Sequence, residues 1–134
     1  MSDTPPVVLG EAKIIAFVAT TDAPVATAFY RDVLGLRLVA DEPVALVFDA
    51  GGAMLRIQKV RAFTRQPFTA LGWRVPDITA AVDALVAKGV RLARYDSLPQ
   101  DERGIWTTGN GDRICWFQDP DGNTLSLTQF VGSG

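Results

Sequence analysis

The chain has 134 residues, 48% of them apolar, which suits one compact domain or two small modules sharing a core. Its net charge of −2 and scattered arginines exclude the basic field that phosphate-backbone binding requires, so nucleic acid is not an expected partner. No apolar run approaches the roughly 20 residues that span a bilayer, the first six residues carry no signal-peptide core, and the single cysteine, Cys115, excludes an intramolecular disulfide. These features lead us to expect a cytoplasmic protein with no membrane partner, and Cys115 as a small buried hydrophobe on a strand.

In chain order, residues 1–10 read as a loose N-terminal tail and 11–20 as an apolar, β-branched strand. Asp22 sits where a helix N-cap belongs, and Pro24 falls in the first turn, where its missing N–H leaves nothing unsatisfied. Val25, Ala28, Phe29, Val33 and Leu34 follow at helical spacing, and Gly35 ends the helix. Residues 36–40, 45–49 and 53–60 read as three strands, with Gly51-Gly52 as the turn before the last.

After a polar linker at 61–67 the same grammar returns. Residues 69–75 read as a strand, Asp77 as an N-cap, and Ile78, Ala81, Val82, Leu85 and Val86 as a helix stripe that stops at Gly89. Segments 90–95, 113–118 and 124–129 read as a second trio of strands, with Asp121-Gly122 as a hairpin turn in which both residues tolerate positive φ. The chain is thus strand–helix–three strands, written twice: module one at about 12–60 and module two at about 69–130. Four strands between the two helices, against two in a ferredoxin-like arrangement, disfavour that alternative.

Two stretches carry a resemblance. Ala28-Phe29-Tyr30-Arg31-Asp32-Val33-Leu34-Gly35-Leu36 is a helix stopping at a glycine, and Trp116-Phe117-Gln118-Asp119-Pro120-Asp121-Gly122-Asn123-Thr124-Leu125 is two strands around a tight turn. Together they resemble the glyoxalase/bleomycin-resistance/extradiol-dioxygenase group, the vicinal oxygen chelate (VOC) superfamily, over about residues 13–130. The resemblance implies an α+β fold (glyoxalase/bleomycin resistance/dihydroxybiphenyl dioxygenase-like) of tandem βαβββ modules forming a partly open, barrel-like cleft, in a single domain covering 1–134. It also implies a homodimer.

Many members of that group hold a metal with histidines and glutamates on the first and last strands of each module. Counted from local landmarks, the corresponding positions here are Ile15, Arg56, Ala70 (Leu71 if the register slips by one) and Ser126, and the chain has no histidine at all. A catalytic divalent ion wants about three N, O or S donors, and a permanent guanidinium repels it. With these residues at those positions, no metal and no cofactor is expected at the site. The Asp119–Asn123 run has its glycine in the wrong place for a calcium loop and reads as a turn.

Residues two apart on a strand share a face. In the register above, Ile15, Phe17, Ala19, Arg56, Gln58, Ala70, Gly72, Arg74, Ser126 and Thr128 face the cleft. Arg56 and Arg74 are candidates to hold an anion in a two-pronged hydrogen bond, against the alternative that each pairs with a carboxylate of the protein. Phe17 is a candidate to stack on a ligand or to fill core. Trp73 is expected under a helix, while Trp106, Trp116 and Tyr95 border the long connection 96–112, read either as a lid or as a solvated excursion. Asp101 and Glu102 show no partner that would tune them as a general base.

The candidate ligand-binding set is Phe17, Arg56, Gln58, Arg74, Trp106 and Ser126. The expected function is metal-independent binding of a small, partly apolar organic molecule in the cleft, as in bleomycin-resistance proteins. The alternatives are an enzyme without the usual metal site (lyase, isomerase or dioxygenase) and a non-catalytic interaction module.

Overall fold

The structure, a computed structural model, describes residues 8–132, so most of the expected tail lies outside the described residues. The first module contains β1 (Ile15–Thr20), α1 (Ala23–Thr27) continuing into a π-helical segment (Ala28–Val33), β2 (Arg37–Asp41), β3 (Ala45–Ala50) and β4 (Ala53–Lys59). The second contains β5 (Thr69–Arg74), α2 (Ile78–Ala87), a two-residue β6 (Trp106–Thr107), β7 (Arg113–Gln118) and β8 (Thr124–Gln129). Each module is one four-stranded sheet, ordered β1-β4-β3-β2 and β5-β8-β7-β6. In each, the first strand pairs parallel with the last and the remaining pairs are antiparallel. The doubled βαβββ architecture is as the repeated grammar predicts. The two sheets meet along β1 and β5 and do not close into a barrel, so their outer faces form an open cleft.

The two helices lie on the opposite faces. Both N-caps act as the sequence suggests: Asp22 Oδ1 accepts from the Val25 amide at 3.3 Å and Asp77 Oδ1 from the Ala80 amide at 3.1 Å. Gln129 Oε1 accepts a further bond from the Ile78 amide, tying α2 to the end of β8. Ile78 and Val82 point into a core that also holds Leu46, Phe48, Leu55, Ile57, Phe117 and Leu125. Cys115 belongs to this core as expected, and burial pushes its thiol up to about 11, so it is no nucleophile at neutral pH.

Four local readings are corrected. The first strand begins at Ile15, four residues later than read, because 11–14 have no partner strand. The first helix buries the stripe expected of it only in part: Phe29 and Leu34 pack against the core, but Ala28 is exposed. Val25 stays 46% exposed while Ala26 and Tyr30 are fully buried. Beyond Thr27 the helix widens into the π-helical segment, in which the Leu34 amide bonds back five residues to the Phe29 carbonyl at 2.9 Å.

The expected strand 90–95 is reduced to a single bridge, Leu92 to Phe117, and the unanticipated β6 takes the other half of that sheet edge. Gln100 diverts the backbone there: its Oε1 accepts from the Tyr95 amide, and its Nε2 donates to the Ala93 and Gly104 carbonyls. At the last hairpin only Gly122 has positive φ, not Asp121. Asp119 and Asn123 pair across a three-residue loop, which needs a left-handed residue only at its last position.

Candidate functional site

Strand parity sets the cleft wall. On the first sheet Ala16, Val18 and Thr20 turn to the core, leaving Ile15 and Phe17 46% and 50% exposed on the other face. Phe17 stands opposite Arg56, and Arg56 opposite Val47. Met54 and Gln58 flank Arg56 two residues either way on β4. Arg56 does not wait unpaired: its Nη2 donates to Glu42 Oε1 at 3.1 Å, with both side chains partly exposed. Of the alternatives raised for this arginine, pairing within the protein is the one present.

On the second sheet the cleft face carries Gly72, Ser126 and Trp116 in one row, and Arg74, Thr128, Ile114 and Trp106 in the next. Ser126 leans over Gly72: a Cβ on that glycine would lie 2.5 Å from the serine Oγ. The register shifts between Thr69 and Leu71, and Leu71 turns into the core, so Ala70 is the residue presented to the cleft. Arg74 has different neighbours from Arg56. Its guanidinium lies 5.1 Å from the centre of the Phe130 ring, and it borders a cavity on the helix side.

The aromatic groups do converge. The Trp106 and Trp116 rings stack at 6.2 Å with 25° between planes, and Tyr95 meets Trp116 edge-on at 5.5 Å. Trp116 Nε1 donates to Thr69 Oγ1 at 3.2 Å, which fixes the indole across the cleft face. Two small cavities are present, the first beside this cluster and the second against β1. One, of about 280 Å³, is lined by Phe68, Thr69, Tyr95 and Trp116 among others; the second, of about 160 Å³, by Phe17, Phe63, Phe68 and Ala70. Phe68 borders both, so a band of aromatic surface runs from β1 of the first module, through the linker, to β7 of the second. The segment 61–67, expected only as a polar linker, and Phe68 just after it carry the middle of this band. The signal was two phenylalanines, Phe63 and Phe68, set among Arg, Gln and Pro.

The connection 96–112 is fastened down. Arg94 donates to the carbonyls of Asp101 and Glu102, Arg103 pairs with Asp83 of α2 at 2.9 Å, and Ile105 is buried. Asp101 Oδ1 accepts from the amides of Arg103 and Ile105, so this carboxylate is engaged in shaping its own turn.

At the end of the cleft the modules are tied by a polar hub. The buried Asp119 carboxylate accepts from the Tyr30 hydroxyl at 2.7 Å, Asn123 Nδ2 at 2.8 Å, and the amides of Asp121 and Asn123 at 3.0 and 2.9 Å. Four donors meet the requirement that a buried charge be hydrogen-bonded. Burial first, then the Asp119 charge and hydrogen bond, raise the Tyr30 hydroxyl far above its ordinary value. Asp121 bridges to the other module through Thr20 Oγ1, the Thr21 amide and Thr21 Oγ1.

The fold and cleft define a protein of the doubled βαβββ class. The Glyoxalase/Bleomycin resistance protein/Dioxygenase superfamily model matches residues 13–127, and the chain belongs to that superfamily. A superfamily member from Sphaerobacter thermophilus DSM 20745 superposes with a TM-score of 0.71 at 20% identity, covering 92% of this chain and 100% of its own. Lactoylglutathione lyase from Agrobacterium tumefaciens does so with a TM-score of 0.69 at 22% identity, covering 94% and 100%. TioX from Micromonospora sp. ML1 gives 0.68 at 16% identity, covering 90% and 99%. At these identities the likeness is one of fold. No curated protein matches the sequence.

The superfamily resemblance raises a metal, and the donor set here does not fit one. Ile15 and Ala70 offer hydrocarbon, Arg56 a cation already paired with Glu42, and Ser126 one hydroxyl. Among the described residues no group of three or more His, Cys, Asp or Glu converges to hold an ion. Also among the described residues, no helix is long and apolar enough to cross a membrane.

Proposed function

We propose that this protein binds a small, partly apolar organic molecule in its cleft without a metal, by contact with an aromatic wall. The observation that carries the reading is the band from Phe17 through Phe68 to the Trp116–Trp106 stack, which lies open beside cavities while its indole is held in place by Thr69. Pockets lined by apolar and aromatic groups with a few fixed polar ones are the usual form of small-molecule sites. Arg56, Gln58 and Ser126 on the cleft face supply the polar component, with the Arg56 guanidinium shared between Glu42 and a polar ligand group. The exposed apolar groups Ile15, Phe17 and Met54 on the same wall support a homodimer in which a second copy covers the part that the ligand leaves bare.

Tryptophan fluorescence tests this directly, since two of the three indoles stand at the site. Titration with 1-naphthol is expected to quench emission with or without EDTA, and Trp116→Ala to weaken binding about threefold to tenfold, the worth of one aromatic contact. Stoichiometric zinc, iron or manganese retained after desalting, with binding lost in EDTA, overturns the reading. Light scattering of the same samples reports the oligomeric state.

A further inference from the structure

A third cavity lies on the helix side of the second sheet, between the end of the π-helical segment and α2. It encloses about 320 Å³ and is almost wholly apolar. Its floor is the core face of the second sheet, formed by Trp73, Phe117 and Leu127, and Val33 and Leu34 at the end of the π-helical segment make one wall. The other wall is α2. The sequence of α2 explains the gap. Ile78, Val82 and Leu85 form the stripe that packs on the core, and a neighbouring stripe at Ala81, Ala84, Leu85 and Lys88 faces the cavity. Two alanines at consecutive turns leave room that larger side chains would fill.

Charge is placed at the rim of this apolar space. Lys88 Nζ reaches across the groove and donates to the Asp32 carbonyl at 2.7 Å. The Asp32 carboxylate is hydrogen-bonded by Arg31 at 2.8 and 3.1 Å and held below its usual value first by that bond and in part by the Lys88 charge, so it acts on the ammonium through its field and not through a hydrogen bond. Arg74, the other cation at the rim, makes no ion pair among the described residues and rests on the Phe130 ring. An ammonium has three donors, so Lys88 retains capacity for an anion.

We propose that this groove is a binding site, separate from the cleft, for a small amphipathic monoanion of the alkyl carboxylate class. The alkyl chain lies on Trp73, Phe117 and Leu127, and the carboxylate meets Lys88 at the rim. The apolar lining selects against a purely polar anion, and the rim cation selects against a neutral alkane or alcohol. The π-helical turn contributes by setting Val33 and Leu34 where a regular helix would have carried them round to another face.

The test uses octanoate on the full chain. In a Trp106→Phe/Trp116→Phe protein, Trp73 is the only indole, so a change in its emission cannot come from the cleft, and the result stands apart from the fate of the cleft reading. Octanoate is expected to shift Trp73 emission saturably. Lys88→Met is expected to weaken octanoate about threefold to tenfold while leaving 1-octanol unchanged, the range for losing a partly solvated charge contact. Ala84→Phe, at an exposed position, is expected to abolish binding of both. Amide-resolved NMR of the unmutated protein provides a second readout, with shifts expected at 33–36 and 81–88. The proposal is overturned if millimolar octanoate leaves Trp73 emission and those amides unmoved in folded protein. It is likewise overturned if Lys88→Met binds octanoate as tightly as the parent, or if folded Ala84→Phe still binds.

Discussion

Tyr30 and Asp119 lie 89 positions apart and meet through a 2.7 Å hydrogen bond inside the core, joining the helix of one module to the last hairpin of the other. The tyrosine ring also packs on Phe29 and Phe48, at 5.2 and 5.9 Å between centres. One side chain therefore does apolar and polar work at once. Tyr30→Phe retains the packing but leaves a buried carboxylate short of a donor, and is expected to destabilise the protein by about 1–3 kcal/mol in urea unfolding at pH 7. The pH dependence gives a second check. The folded value of Tyr30 is raised, first by burial and then by Asp119, so its contribution is complete below the unfolded value of about 10 and is lost as pH rises above it. The stability gap between parent and Tyr30→Phe is expected to narrow above that pH.

Asp121 makes the complementary tie with the opposite sign. Burial acts to raise its carboxyl, but hydrogen bonds from Thr20 Oγ1 at 2.6 Å and from the amide and hydroxyl of Thr21 at 2.8 Å outweigh burial and hold it below the usual carboxylate value. A lowered value contributes stability above the unfolded pKa of about 3.9 and loses it as pH falls further. Asp121→Ala is expected to cost about 1 kcal/mol at neutral pH. The difference from the parent should shrink below about pH 4. A loss that stayed constant from pH 7 to pH 3 would count against the bridge as its source.

Gly72 and Ser126 form a tight pair across β5 and β8. A methyl at Gly72 would sit 2.5 Å from Ser126 Oγ, closer than any real contact, so one of the two must move. Gly72→Ala is expected to cost about 1–3 kcal/mol by overpacking. Because the offending atom is a side-chain hydroxyl, Ser126→Ala in the same chain should recover much of it. A double-mutant cycle in denaturant measures that coupling, and additive losses would show that the backbone at Gly72 is constrained by something other than Ser126.

The repeated strand–helix–three-strand order was legible because its signals are local: aspartate N-caps at Asp22 and Asp77, glycine stops at Gly35 and Gly89, and period-two alternation on the strands. Alternation also assigned Phe17, Arg56 and Ser126 to the cleft face. What escaped was non-local. Tyr30 was passed over as a core residue because its acceptor lies on the far hairpin. The strand expected at 90–95 lost its pairing to Gln100, whose three hydrogen bonds hold the chain in another path. Phe63 and Phe68 gained meaning only when the linker was seen to bring them between Phe17 and Trp116.

The pairing of Arg56 with Glu42 makes a prediction about what the cleft prefers. Both side chains are partly exposed, so the pair itself is worth at most about 1 kcal/mol, and Glu42→Gln should change stability little. It should, however, release the guanidinium towards the cleft. A ligand carboxylate then no longer competes with Glu42, and 1-naphthoate is expected to bind Glu42→Gln about threefold to tenfold more tightly than the parent, while 1-naphthol is unaffected. Arg56→Ala should reverse the preference, weakening the acid and leaving the phenol. Running all three proteins with Ala84→Phe removes the groove between the helices as a competing site. Equal responses of acid and phenol across the series would mean that Arg56 plays no part in binding and that the aromatic wall acts alone.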